Sequence, residues 1–282
     1  MAVQFAGYNG KSAVGFRQTV NEDYIAFQEL GDDFLFAVVA DGSGSGKSMF
    51  QPASIVTNHV CNSIKRIYEK DRNLLLDNTR FFLEEAILSA NDALIAFKLG
   101  NEEANAGFAS TFTCALVYRD GTTTFAHLGN SRLYLIRGGK LSQLTKDQTE
   151  GQRMVDSGRI TQDDYYKSME KLSLYNGLGI TANPLVLTQQ FKLKPFDILS
   201  LTTDGLHYSY KAEGMMEIIF ASYTLDEATK ALIDATEEMK SFSDNVSVCL
   251  VQFFGERKDE DSDEDDGDEE ERENEEEDSD EE

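Results

Sequence analysis

The sequence predicts an α+β fold in which antiparallel β-sheets are flanked by helices. Nine segments have the character of strands, because they are rich in β-branched and aromatic residues and several end at Gly or Asp turns. These segments come in hairpin-like groups, with two long helical segments between the first group and the second. A parallel sheet would alternate strands with helices, so this grouping favours antiparallel sheets.

Each element follows from its local pattern. The predicted strands are residues 13–17, 24–29, 34–40, 110–118, 122–128, 132–137, 186–193, 197–203 and 245–253. The predicted helices are residues 53–70, 78–99 and 225–239, with a more polar helix near 147–157. In the second helix, apolar residues recur at spacings of three and four, as on one helix face. The letters "RDGT" at 119–122 predict a hairpin turn between two strands.

The charge distribution divides the chain at about residue 255. Residues 256–282 contain 20 acidic and three basic residues, and they carry −17 of the chain's net charge of −25. They have no apolar side chain whose burial could offset the entropy of ordering, so we expect a disordered acidic tail. The tail is either solubilising or a binding arm for a basic partner. Residues 1–255 are expected to form one domain.

Cysteine usage and the distribution of apolar residues indicate the compartment. Cys61, Cys114 and Cys249 have no paired spacing, so we expect buried free thiols in a reducing compartment. No apolar stretch approaches the ~18 residues of a membrane span. The N-terminal residues lack the charged start and apolar block of a secretory signal. We expect a cytoplasmic protein with neither a membrane nor a nucleic acid as a direct partner.

Four aspartates lie at strand boundaries, and they are Asp23, Asp41, Asp204 and Asp244. Each one alone fits an ordinary turn. Together they suggest converging carboxylates, which would repel one another and raise one another's pKa. A hard divalent cation removes that cost, and oxygen ligands suit Mg²⁺ or Mn²⁺. Gly42, directly after Asp41, leaves room for a backbone carbonyl or a water to join the metal.

The motifs occur in the order of a known family. They are "GFRQTVNEDY", "VVADGSGSG" followed by "PASIV", "ASTFTCALV", "AHLGNSRLYLIRGGKLSQLTKDQT", "MVDSGRIT", "LTTDGL" and "SDNVSVCLV". From about residue 7 to residue 253 the chain resembles the metal-dependent serine/threonine protein phosphatases of type 2C, the PPM family, in their short bacterial form. The resemblance implies a four-layer αββα sandwich, with a helix pair on each outer face. Residues 146–183 would form the family's flap, beside the active site.

The resemblance also implies a site with two Mn²⁺ or Mg²⁺ ions at one edge of the sandwich. Asp41 would bridge the ions, and Gly42 would offer its carbonyl oxygen to one of them. Asp204 and Asp244 would hold the other ion. The residues implied at the metals are therefore Glu22, Asp23, Asp41, Gly42, Asp204 and Asp244, of which Glu22 and Asp23 act largely through water. Arg17 would bind the substrate phosphate, so the implied catalytic residues are Arg17, Asp41 and Asp204.

The chain departs from the family pattern at three places. Asn130 replaces an aspartate that helps to bind a third metal in many members, so we expect that third site to be weak or absent. The spacing between Arg17 and "NED" is one residue longer than usual, which a bulge would have to absorb for Arg17 to reach the site. Ser43 stands where some members carry a histidine assigned as the general acid.

We therefore expect an enzyme that hydrolyses phosphoserine and phosphothreonine in proteins by means of a water activated at two metal ions. Its partners would be phosphorylated protein substrates and, in a bacterial setting, an opposing serine/threonine kinase. Two alternatives remain at this stage. One is a pseudophosphatase that uses the same fold for binding or regulation, and the other is an acidic-tail chaperone or scaffold for basic proteins.

Overall fold

Two antiparallel sheets stack face to face, and a pair of long helices covers the outer face of each sheet. The computed structural model describes residues 5–15, 18–44, 51–101, 107–239 and 244–255. The predicted α+β class and the four-layer αββα arrangement are confirmed. The predicted acidic tail, residues 256–282, lies outside the described residues, so the division into a domain and a tail stays a prediction.

Eleven strands form the two sheets of the described chain. One sheet has the order β1-β11-β10-β7-β8, and the other has the order β2-β3-β5-β6-β9, with β4 paired to β3. In chain order the strands are β1 (Ala6–Ala13), β2 (Asp23–Leu30), β3 (Phe34–Ser43), β4 (Ala109–Ser110), β5 (Phe112–Tyr118), β6 (Thr122–Leu128), β7 (Arg132–Arg137), β8 (Lys140–Gln143), β9 (Leu187–Lys192), β10 (Ile198–Thr202) and β11 (Val246–Phe253).

Eight α-helices accompany these strands in the described residues. They are α1 (Pro52–Lys70), α2 (Arg72–Asp77), α3 (Thr79–Gly100), α4 (Glu150–Asp156), α5 (Gln162–Lys167), α6 (Asp204–His207), α7 (Ala212–Ala221) and α8 (Leu225–Met239). A short 3₁₀ helix spans Met169–Leu172. Among the described residues, no helix combines the length and the apolar character needed to cross a membrane.

Strand β3 shows how the layers form. Its residues Phe34 to Ala40 are all buried, because β3 is covered on both faces. Successive side chains of a strand point to opposite faces. Phe36 and Val38 therefore pack under α1 and α3, whereas Leu35 and Ala37 pack between the two sheets. The same alternation determines which face of the sheet carries the side chain of Asp41, the residue after the apolar run.

The opposite outer face is covered by α7 and α8. Met215 and Leu232 from these helices pack against Val248 and Leu250 of β11. The other face of β11 contributes Cys249 to the core between the sheets. Each sheet is thus covered on one face by a helix pair and on the other face by the second sheet.

The sequence-based prediction was wrong for one strand and missed several short elements. The predicted strand 13–17 overlaps β1 only at Ala13, where β1 ends, and residues 16 and 17 lie outside the described residues. This strand is polar and only partly buried, because it is an edge strand paired with β11 alone, so it lacks the apolar pattern of its neighbours. The missed elements are α2, α5, α6, α7 and β8. The hairpin turn at "RDGT" is confirmed, with Gly121 N–H donating to the Tyr118 carbonyl at 2.8 Å.

A buried ion pair anchors the predicted flap, residues 146–183, to the first sheet. Arg132 on β7 donates from Nε and Nη2 to the two carboxylate oxygens of Asp147, at 2.8 and 2.7 Å. Tyr165 of α5 and Tyr208 donate to Asp147 Oδ2 at 2.6 and 3.1 Å. Burial alone would raise the pKa of Asp147, but the Arg132 guanidinium outweighs it and the pKa is lowered to about 2.

Replacing Asp147 should therefore lower the stability of the folded protein. In Asp147→Asn, the Arg132 charge stays buried without a counter-charge, and we expect a loss of about 3–5 kcal/mol in the free energy of unfolding, measured by urea denaturation at pH 7. The benefit of the carboxylate is complete above the unfolded aspartate pKa of ~3.9 and is lost as the pH falls through about 2. The difference in unfolding free energy between wild type and Asp147→Asn should therefore shrink as the pH falls from ~3.9 through about 2.

Asp156→Asn is the matched control for this prediction. Asp156 pairs with Lys146 at 2.6 Å in the same flap, but both side chains are exposed. Exposed pairs contribute about 0–1 kcal/mol. Equal losses in the two variants would contradict the anchoring role of Asp147.

Candidate metal centre

Asp23 and Asp41 meet at one end of the second sheet. They lie directly opposite each other in the register of β2 and β3. Asp41 has the strand parity of Leu35 and Ala37, so its side chain belongs to the face between the sheets. The apolar run of β3 thus delivers a carboxylate to the rim of the central core, as the sequence suggested.

The Asp23 carboxylate joins the two sheets at this rim. Its Oδ2 accepts hydrogen bonds from Thr203 Oγ1 and from Ser247 Oγ, both at 2.7 Å. Thr203 follows β10 and Ser247 lies in β11, so both donors belong to the opposite sheet. Asp23 is 6% exposed. A single buried carboxylate oxygen therefore fixes the ends of three strands relative to one another.

Asp204 comes from the opposite sheet, at the start of the short helix α6. The turn that places it needs a glycine, because a Cβ on Gly205 would collide with the Asn245 carbonyl oxygen. Asn245 in turn accepts from the Glu22 N–H at 2.9 Å and donates to the Val20 carbonyl at 3.1 Å. The strand end that carries Asp244 is thus tied to the segment that carries Glu22.

The backbone around Asp41 is equally restrained. Its N–H donates to Thr111 Oγ1 and its carbonyl accepts from the Thr111 N–H, both at 2.8 Å. Gly42 N–H donates to the Glu22 carbonyl at 3.1 Å, and a Cβ on Gly42 would lie 2.7 Å from that oxygen. Only glycine allows this close approach. The structure therefore requires a glycine after Asp41, whether or not its carbonyl binds a metal.

These residues open into one pocket of about 270 Å³. Of the predicted site residues, the pocket lining contains Glu22, Asp41, Gly42, Asp204 and Asp244, while Asp23 is buried against the opposite sheet. The phosphate-binding residue of the prediction, Arg17, lies outside the described residues. Sequence reasoning missed five pocket residues, and these are Gln18, Ser110, Thr111, Leu172 and Leu174.

The aspartates experience a field that opposes their ionisation. Burial raises the pKa of Asp41 well above its usual range, and the charges of Asp23, Asp204 and Asp244 raise it further. Burial, with the Asp244 and Asp23 charges, raises the pKa of Asp204 to about 8. Burial also raises the pKa of Asp23 to about 7, although hydrogen bonds from Ser247 and Thr203 lower it in part. None of the described residues that line the pocket carries a positive charge.

Among the described residues, two buried oxygens at this pocket have no hydrogen-bond partner, namely Asp204 Oδ1 and Asn130 Oδ1. The Asn130 amide donates instead from Nδ2 to Asp204 Oδ2, at 3.1 Å. A buried acceptor without a hydrogen bond lowers the stability of the folded state. In native proteins such an acceptor is commonly explained by a bound water or ion. A divalent cation with oxygen ligands is a partner that would satisfy both oxygens and offset the carboxylate repulsion.

The described side chains alone do not supply a complete set of metal ligands. Within the described ranges, no group of three or more His, Cys, Asp or Glu side chains is gathered closely enough to bind a metal ion directly. Repulsion among the carboxylates favours such spreading, and water can complete the coordination of Mg²⁺ or Mn²⁺. The donor chemistry nevertheless fits these ions, since the charged groups lining the pocket are carboxylates.

His207, which follows "TTDGL", is buried and is not among the described residues lining the pocket. Its Nδ1 is hydrogen-bonded to Thr202 Oγ1 at 2.9 Å. Burial lowers its pKa well below the usual value, and the Arg132 charge adds to that effect. A neutral, buried imidazole fits a packing role better than proton donation to a substrate.

Comparison with known proteins identifies the family. The sequence model of the family described as Protein phosphatase 2C matches residues 11–242. The chain belongs to the protein phosphatase 2C family. The predicted class of metal-dependent protein serine/threonine phosphatase is thereby confirmed, and the comparisons give no support to the pseudophosphatase or scaffold alternatives.

Two curated relatives within this family are bacterial. The serine/threonine phosphatase stp of Listeria monocytogenes is 25% identical over 232 residues, which cover 82% of this chain and 90% of that protein. Protein phosphatase PhpP of Streptococcus pneumoniae is 23% identical over 238 residues, which cover 84% of this chain and 94% of that protein.

Solved structures show the same fold. The serine/threonine phosphatase PstP/Ppp of Mycobacterium tuberculosis is 24% identical with a TM-score of 0.72, covering 89% of this chain and 99% of that chain. The serine/threonine phosphatase Stp1 of Staphylococcus aureus is 21% identical with a TM-score of 0.78, covering 90% and 96%. These likenesses confirm the predicted sandwich.

The raised pKa values predict an unusual dependence of stability on pH. Without divalent cations, Asp23 and Asp204 hold protons in the folded state that the unfolded chain, with aspartate pKa values of ~3.9, has released. Their contribution to stability is therefore complete below ~4 and is lost as the pH rises through about 7 to about 8. We expect this decline in urea unfolding between pH 5 and pH 8 in EDTA, and saturating Mn²⁺ should remove most of it.

Asp204→Asn separates this effect from other titrating groups. The variant has no charge to bury at this position, so in EDTA at pH 8 it should be more stable than wild type. It should also gain less stability from Mn²⁺. A variant that is less stable than wild type in EDTA at pH 8, yet equally stabilised by Mn²⁺, would contradict the electrostatic description of the pocket.

Proposed function

We propose that this phosphatase hydrolyses phosphoserine and phosphothreonine in the pocket described above, with two Mn²⁺ or Mg²⁺ ions held by its carboxylates. The observation that carries the proposal is the convergence of Glu22, Asp41, Asp204 and Asp244 on one pocket without a described cationic side chain. A negative pocket of this kind would repel a phosphate dianion. Binding of two divalent ions would reverse that repulsion.

The position of each carboxylate in the fold suggests its role at the metal ions. Asp41 extends from β3 into the space between the sheets, which suits it to contact both ions, and Gly42 would add its carbonyl oxygen. Asp204 and Asp244 lie together on the opposite sheet and would hold the second ion. Glu22 and Asp23 would support the site through water, and the double hydrogen bond to Asp23 Oδ2 fits such an indirect role.

When bound, two divalent ions would polarise a phosphoryl oxygen and activate a water molecule for attack at neutral pH. The chain's part is to fix the carboxylates on two rigid sheets and to leave an open space of about 270 Å³ for the phosphate. Arg17 is proposed to bind a phosphate oxygen. The cysteines offer no alternative nucleophile, because all three are buried and burial raises the pKa of each thiol, for Cys61 to about 12.

A family neighbour supports the choice of metal. The catalytic domain of the serine/threonine protein phosphatase PstP, 24% identical with a TM-score of 0.69, was solved in complex with two manganese ions. For this chain we propose phosphorylated proteins as substrates and an opposing serine/threonine kinase. The buried free thiols fit a cytoplasmic location. For residues 256–282 the proposal stays an acidic tail that is either solubilising or a binding arm for a basic partner.

Asp41→Asn tests the proposed centre. Removing this charge should lower kcat/KM for a phosphothreonine peptide in Mn²⁺ by at least about a hundredfold, which corresponds to ~2.7 kcal/mol of transition-state stabilisation. Asp32→Asn is the control, because Asp32 is an exposed residue in the turn between β2 and β3. Full activity of Asp41→Asn, or an equal loss in the control, would refute the assignment.

Asn130→Asp tests the proposed metal stoichiometry. A carboxylate here would lie beside Asp204 Oδ2, to which the amide now donates. We expect the variant to lose stability in EDTA because of added repulsion, and to bind more Mn²⁺ at saturation than wild type in calorimetric titration. If both forms bind three ions per chain, Asn130 does not limit the third site.

A further inference from the structure

A second pocket of about 320 Å³ opens beside the metal pocket. The two pockets share Ser43, Leu172 and Leu174 in their linings, so they form one continuous groove. The first part of the groove is lined by carboxylates, whereas the second part is lined by none in the described chain. We call this second part the flanking pocket.

The flanking pocket has the composition of a ligand site. Ligand-binding cavities start at about 300 Å³ and combine a largely apolar lining with a few polar groups. Here Leu172, Leu174, Ala109 and Ile180 supply apolar surface, and Lys98 is the charged residue of the described lining. Ile180 is 41% exposed and Leu172 is 37% exposed, so a ligand could reach both side chains.

The loop that carries Ile180 is held in place before any ligand binds. The side chain of Asn91, which is fully buried on α3, accepts from the Gly179 N–H at 2.8 Å and donates to the Thr181 carbonyl at 3.1 Å. Lys98 Nζ, also on α3, donates to the Gly179 carbonyl at 3.3 Å. Such restraint lowers the entropy cost of binding.

The same loop is linked to the metal pocket. Leu178 and Ser110 exchange two backbone hydrogen bonds, at 2.9 and 2.8 Å. Ser110 lines the metal pocket, and the next residue, Thr111, donates from its N–H to the Asp41 carbonyl at 2.8 Å. The distance between the two pockets is therefore fixed by short hydrogen bonds.

We propose that the flanking pocket binds an apolar side chain of the substrate, one or two residues from the phosphorylated residue. The inference rests on the proposed function, since it treats the metal pocket as the phosphate site. An extended chain advances ~3.3–3.6 Å per residue, so a neighbouring residue reaches a pocket that shares a wall with the first. The enzyme would thus prefer phosphopeptides with a leucine-like side chain beside the phosphothreonine.

The test is a comparison of peptides across variants. A phosphothreonine peptide would carry either Leu or Ala at each of the two positions before and after the phosphothreonine, and kcat/KM would be measured in Mn²⁺. The variants are Ile180→Ser and the control Leu185→Ser. Leu185 is 60% exposed near the same loop, and it is not among the described residues of either pocket. The ratio of Leu to Ala peptide is compared within each protein, so changes in overall activity cancel.

Wild type and Leu185→Ser should prefer Leu over Ala by about tenfold in kcat/KM at one of these positions. Even one methylene more or less in an apolar pocket changes kcat/KM by about 10- to 200-fold. Ile180→Ser should reduce that ratio to near one. Ile180→Trp, which fills the pocket, should also abolish the preference.

No preference at any position in wild type, or an unchanged ratio in both Ile180 variants, would overturn the flanking pocket as a substrate site. Turnover of a small aryl phosphate is measured in parallel on wild type. If that turnover is present, failure of the peptide test concerns the flanking pocket alone. If wild type turns over neither substrate with Mn²⁺, the proposed function fails and this inference fails with it.

Discussion

The site depends on one buried carboxylate that joins two sheets. Asp23 Oδ2 receives hydrogen bonds from Thr203 and Ser247, which belong to the opposite sheet. Because Asp23 lies opposite Asp41 in register, this contact also sets the position of Asp41 relative to Asp204. Together with the Asn245 hydrogen bonds to Glu22 and Val20, this contact aligns the two sheets at the rim, which non-directional apolar contacts alone do not specify. The geometry of the rim is therefore specified by polar groups, although apolar packing stabilises the sandwich.

The same rim brings several carboxylates together, and their mutual repulsion lowers the stability of the folded state. Burial and mutual repulsion raise the pKa values of Asp41 and Asp204, and the described lining of the pocket offers no compensating cation. Protons or divalent ions would offset the repulsion among these described carboxylates. If the carboxylates bind metal as proposed, stability and metal binding are coupled. On the proposed function, the metal-free protein would give up some stability in exchange for a site that two cations can occupy.

Much of this could be predicted from the sequence, but not all of it. Asp41 was predictable because an uninterrupted apolar run ends at it and a glycine follows. The contact of Asp23 with Ser247 was not predictable, because the two residues are 224 positions apart and meet only through the stacking of the sheets. Strand β1 was misplaced because a partly buried edge strand has no apolar periodicity. The flanking pocket was not predictable because Ile180 lies in a loop, where hydrophobic periodicity carries no signal.

The most direct test of the central claim is anomalous diffraction from crystals grown with Mn²⁺, measured near the manganese edge. Two peaks are predicted in the pocket between the sheets, about 3.5–4 Å apart, with the Asp41 carboxylate between them and Asp204 and Asp244 beside one of them. A single ion elsewhere on the chain, or no anomalous peak in a pocket with ordered carboxylates, would contradict the account.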